Sequence, residues 1–79
     1  MIFRVLYFAS LADRAGCAEE DFQSDAMDVA SLYEDVRQHH ALEMKADRLR
    51  AAVNGSFVDW NHRLDSGDEV AFLPPVSGG

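Results

Sequence analysis

The stretch Phe72-Leu73-Pro74-Pro75-Val76-Ser77-Gly78-Gly79 closes the chain. It begins as the end of an apolar strand and then meets two prolines. Pro74 and Pro75 lack backbone donors and fix φ, so a sheet cannot run through them. Small residues follow, and the last two are glycines, which have no Cβ and make the thinnest ribbon a peptide can form. Extended, Val76 to Gly79 reaches roughly 13 Å at about 3.3 Å per residue. That shape suits a stalk carrying a carboxylate into a partner's narrow channel. Taken alone, a terminal glycine pair is equally what a frayed chain end looks like.

Working back from the tail, Glu69 to Leu73 is a strand with Val70 and Phe72 on one face and Glu69, Ala71 and Leu73 on the other. Asp65-Ser66-Gly67-Asp68 is the polar turn before it, and Trp60 and Leu64 anchor an irregular crossing. Leu49 to Val53 and Ser56 to Val58 are strands joined by Asn54-Gly55, a strong hairpin signal. Leu49, Ala51, Val53 and Val58 face inward, and Phe57 faces out. At the other end, Ile2 to Phe8 is β-branched and aromatic. Phe3, Val5 and Tyr7 share one face; Arg4, Leu6 and Phe8 share the other, which Arg4 marks as outer.

Between these strands, Asp28 opens the main helix as its N-cap. Val29, Leu32, Tyr33 and Val36 recur at helical spacing, and the helix fades near His40. Ser10 to Ala15 is a short helix, with Ser10 as N-cap and Gly16 just past its end. Glu19 to Gln23 is an acidic edge strand anchored by Phe22. Ala41 to Arg48 is a connector. The first and last strands are the most apolar, so they are expected to be central, adjacent and parallel. With one long helix across the sheet, that order predicts an α+β, β-grasp fold for residues 1–75, followed by a tail over residues 76–79. On this parity Leu6, Phe8, Phe57 and Leu73 form an apolar patch on the face away from the helix.

Composition narrows the function. The chain has 79 residues, hence one domain, and carries 14 acidic against 7 basic residues for a net charge of −7. That balance argues against nucleic acid and anionic membranes, and it favours a basic protein partner. There is no long apolar run and no signal-peptide pattern, so a cytoplasmic location is the expectation. The single cysteine, Cys17, can form neither an internal disulfide nor a thiolate metal site by itself. The His39-His40 pair is read as solvated near the helix end. No metal site is expected.

The run Gly67-Asp68-Glu69-Val70-Ala71-Phe72-Leu73-Pro74-Pro75-Val76-Ser77-Gly78-Gly79 resembles the C-terminal signature of the small, sulfur-carrying subunits of molybdopterin synthase. Ala52-Val53-Asn54 and the opening Val5-Leu6-Tyr7-Phe8-Ala9 resemble that family too. The likeness covers nearly the whole chain and is loosest over residues 18–27 and 40–48. It implies a ubiquitin-like β-grasp. It also implies that an ATP-dependent activating enzyme, an adenylyltransferase, adenylates the Gly79 carboxylate, and that sulfur then replaces AMP to give a thiocarboxylate. The large subunit would next accept the tail and pass the sulfur to a cyclic pyranopterin phosphate, making the molybdopterin dithiolene. On that resemblance Gly79 and Gly78 are the reacting end. Phe8, Phe57, Leu73, Pro74, Pro75, Val76 and Ser77 would meet the partner. The carrier itself binds no cofactor tightly and is no enzyme in isolation, ATP being used by the activating partner. A sulfur carrier for thiamine or cysteine synthesis, a ubiquitin-like protein modifier and a plain binding module stay open beside this reading.

Overall fold

A computed structural model describes residues 1–75; Val76, Ser77, Gly78 and Gly79 lie outside the described residues. The elements run β1 (Ile2–Tyr7), α1 (Ser10–Ala15), β2 (Glu19–Gln23), α2 (Val29–His40), a 3-10 turn (Ala46–Arg48), β3 (Arg50–Val53), β4 (Ser56–Val58) and β5 (Glu69–Leu73). They form one mixed sheet in the order β2-β1-β5-β3-β4. β1 and β5 are parallel interior neighbours, with Val5 opposite Val70 and Tyr7 opposite Phe72. Every other pairing is antiparallel. This is the expected β-grasp.

Strand alternation decides what is buried. Phe3, Val5, Val70 and Phe72 are wholly buried, and Tyr7, Ala51 and Val53 join them on the same face. Val29, Leu32, Tyr33 and Val36, spaced to line one side of α2, complete the core. Trp60 stacks on Phe72, and Tyr33 tilts over the same ring with centroids 5.0 Å apart. The Asp28 side chain accepts from the Ser31 amide at 2.8 Å, capping α2 as its sequence position suggests. Asn54 and Gly55 both take positive φ, which is what a tight hairpin between right-handed twisted strands requires.

Local readings that stopped at chain neighbours needed correction. Ser10 is the first helical residue, and the cap position is Ala9, at φ 52 and ψ −127 with no side-chain cap. The backbone after β1 must turn sharply there, and the Phe8 carbonyl accepts from Leu11 at 3.1 Å. That bond takes Phe8 out of the ladder, so β1 ends at Tyr7. Leu49 likewise precedes β3, because its amide closes the 3-10 turn on Ala46 at 2.9 Å.

The histidine pair is divided. His39 is exposed, edge-on to Phe22. His40 is not solvated: its Nε2 lies 2.6 Å from Glu20 Oε2, and its ring packs edge-on against Tyr7. The Tyr7 hydroxyl donates to the same Glu20 oxygen. Glu20 sits opposite Val5 in the β1–β2 register and so points to the helix face. Burial pushes the Glu20 carboxyl up, but hydrogen bonds from Tyr7 and His40 and the histidine charges bring it below its ordinary value. Burial raises the Tyr7 phenol well above its usual range, and the Glu20 bond raises it further.

Candidate functional site on the open sheet face

The face of the sheet turned away from α2 is built in rows. Leu6 is opposite Ala71, Ala71 opposite Ala52, and Ala52 opposite Phe57, so these side chains cross four strands in one line. Glu19 closes the row at the β2 edge, opposite Leu6. Ala71 and Ala52 are small, so the centre of the row is low while Phe57 stands at its end, 64% exposed. The Arg50 guanidinium lies 5.1 Å from the centre of the Phe57 ring.

The next row towards the amino end of β1 is charged. Arg4 is opposite both Glu69 and Asp21, and it bonds Asp21 at 2.9 Å and Glu19 at 3.0 Å. These pairs are well exposed, and such pairs contribute little to stability. The opposite flank carries Leu73, facing Arg50 in the register, and Phe8, one residue beyond the Tyr7–Phe72 pair. Leu73 is half-buried and Phe8 is 44% exposed. The apolar ground therefore widens toward the end where β5 gives way to half-buried Pro74 and exposed Pro75.

The structure thus places Leu6, Phe57 and Leu73 on one face, as the alternation predicts, with Leu73 next to the prolines in the chain; Phe8 is exposed just past the end of β1, outside the ladder that would fix its facing. Ala52 and Ala71 were missed as members. Their parity with Phe57 and Leu73 was legible, but small residues carry no apolar signal of their own until the register sets them side by side. The expected reacting and partner-meeting residues Val76, Ser77, Gly78 and Gly79 lie outside the described residues.

Among the described residues, little competing chemistry lies outside this face. No group of three or more potential metal ligands exists among the described residues. Burial raises the Cys17 thiol above its usual pKa, and the Glu20 charge adds to this, so thiolate is disfavoured. Among the described residues no helix is long and apolar enough to cross a membrane.

Comparison with known proteins agrees with this geometry. The ThiS family model matches residues 5–79. The molybdopterin synthase sulfur carrier subunit of Escherichia coli is 39% identical, over 99% of this chain and all of that protein. Among solved structures, SAMP1 from Haloferax volcanii superposes with a TM-score of 0.84 at 28% identity, covering all of both chains. A complex of subunits 1 and 2 of the molybdopterin-converting factor from Helicobacter pylori contains a chain that superposes at 0.69 with 25% identity, again over the whole of both chains. With a β-grasp sheet, an open apolar face beside the C-terminal prolines and these matches along almost its entire length, the chain belongs to the ThiS family.

Proposed function

We propose that this chain is the sulfur carrier subunit of a molybdopterin synthase. The observation that carries the reading is the continuity of the apolar row Leu6–Ala71–Ala52–Phe57 with Leu73, Phe8 and the proline pair from which the tail departs. A partner seated on this face would meet the root of the tail at the same time. The naming of the Escherichia coli relative and the two-subunit Helicobacter pylori complex support it.

In this reading the Gly79 carboxylate attacks the α-phosphate of ATP in an activating enzyme, and pyrophosphate leaves. A sulfur nucleophile then displaces AMP and leaves a thiocarboxylate. Adenylation is needed because a free carboxylate is a poor acyl electrophile, whereas the thiocarboxylate formed is a good nucleophile. On the large subunit the thiocarboxylate sulfur bonds to a carbon of a cyclic pyranopterin phosphate, and water then cleaves the acyl–sulfur bond, leaving the sulfur on the pterin and returning Gly79 to a carboxylate. Gly78 and Ser77 contribute thinness, Val76 to Gly79 contribute reach, and the domain contributes the docking face.

The test is intact mass measurement after incubation with an activating enzyme, ATP and a sulfur donor, followed by mapping of the C-terminal peptide. Sulfur-for-oxygen exchange at Gly79 is expected in the wild type and in Cys17→Ala alike, and deletion of Gly79 abolishes transfer. Sulfur retained on Cys17, or transfer lost in Cys17→Ala, overturns the proposal. The modifier reading is kept because SAMP1, the small archaeal modifier protein 1 of Haloferax volcanii, superposes well; isopeptide adducts to other proteins through Gly79 would favour it.

A further inference from the structure

A groove of about 630 Å³ has Pro75, the last described residue, in its lining. Its apolar lining is Leu11 and Leu42, both buried, with half-buried Met44. Around these stand the exposed side chains of Arg14, Lys45 and Arg48. Three of the chain's seven basic residues thus gather here, against only two of its fourteen acidic ones, Glu43 and Asp47. In a chain of net charge −7 this is a local reversal of sign. The reversal is modest, since Glu43, 3.9 Å from Arg14, and Asp47 offset two of the three cations and leave one net positive charge on the lining. Lys45 and Arg48 form no ion pair among the described residues.

Position adds to charge. The tail beyond Pro75 extends at most roughly 13 Å. A partner that engages Gly79 must therefore bring the mouth of its channel within that distance of the groove. At low ionic strength, where the screening length is about 30 Å at about 0.01 M, the cations act across that whole distance; at about 0.15 M it falls to about 8 Å and only closer contacts count. We propose that this groove takes an acidic segment of the large subunit, at the mouth of the channel that receives the tail. The inference rests on the carrier reading above and adds a second, electrostatic contact to the apolar one. Apolar docking on the sheet face leaves the in-plane rotation of the carrier loosely fixed, and a charged contact at one end of it fixes that rotation.

The experiment measures association of the full-length chain with the molybdopterin synthase large subunit by stopped flow, at ionic strengths from about 0.01 to 0.15 M. The variants are Arg14→Gln/Lys45→Gln/Arg48→Gln and the corresponding triple change to Glu, with folding checked by circular dichroism. Neutralisation should slow association, and reversal should slow it about tenfold or more at low salt, with the difference shrinking as salt rises. Arg63→Glu, exposed beside the amino end of α2, controls for net charge and should have little effect. Unchanged rates in the triple variants overturn the proposal. So does faster association, which would mean a basic mouth or a groove occupied by the chain's own carboxylate. An equal effect per charge from Arg63→Glu also overturns it. Phe8→Ala in the same assay separates the two levels: if it weakens binding while the groove variants do not, the groove fails and the docking face stands. If the wild type does not bind at all, the carrier reading fails with it.

Discussion

Replacing Phe57 by alanine asks the most of the proposed docking face for the least disturbance of the fold. The ring is 64% exposed, and its in-sheet neighbours are Ala52 across the strand pair and the Arg50 guanidinium above it. Its loss from the free chain removes one exposed cation–π contact and one cross-strand pair, each about 0.5–1 kcal/mol. The domain, with about 4–12 kcal/mol of stability for its length, tolerates that. In the complex the same ring has far more to lose. An aromatic side chain buries about 150–250 Å², so the exposed fraction offers about 100–160 Å² to a partner. At about 25 cal/mol per Å² this is about 2.5–4 kcal/mol, an upper bound because association has its own entropy cost. Isothermal titration of the large subunit should show at least a tenfold rise in Kd, while the urea midpoint of the free chain falls only slightly. A Kd within about threefold of wild type, with the fold intact, refutes docking through this face. A loss of more than about 2 kcal/mol from the free chain would instead make Phe57 a structural residue. Phe72→Ala is the contrast: the ring is wholly buried between Tyr33 and Trp60, and about 3–5 kcal/mol of stability should go with it.

Acid should act through Glu20. Its carboxyl is held below its ordinary pKa in the folded chain, so its contribution is fully present above the unfolded value of about 4.3 and disappears as pH falls through the folded value. Denaturation midpoints of wild type and Glu20→Gln should therefore differ at neutral pH and converge below about pH 4; a constant difference across that range would refute the role of charge. Ala9→Gly should stabilise the chain, because Ala9 holds a positive φ that a Cβ disfavours and such strain costs about 1–3 kcal/mol, more than the backbone entropy glycine adds. A lowered melting temperature in that variant would show that the turn after β1 is unstrained.

Which readings the sequence could carry by itself follows from how local their causes are. Helix α2 was legible because its period and its Asp28 cap lie within one stretch of chain. The β3–β4 hairpin was legible because Asn54-Gly55 dictates the turn, and the facing of each strand follows from strict alternation. The end of β5 at Leu73 was legible because Pro74 and Pro75 lack the backbone donors that an interior strand needs. What only the tertiary structure decided lies where distant segments meet. His40 looked solvated from its neighbours in sequence, but β2 returns Glu20 to the end of α2 and makes the histidine its half-buried partner. Ser10 looked like a cap, but the turn out of β1 gives that position to Ala9. Ala52 and Ala71 became part of the open face only through the pairing of β1, β5, β3 and β4. Arg14 lies in α1 and Lys45 and Arg48 in the connector, and only the fold brings the two segments to one groove with Pro75. Backbone period and turn chemistry act within a few residues, whereas charge and apolar surface become sites only when the register of the sheet sets them side by side.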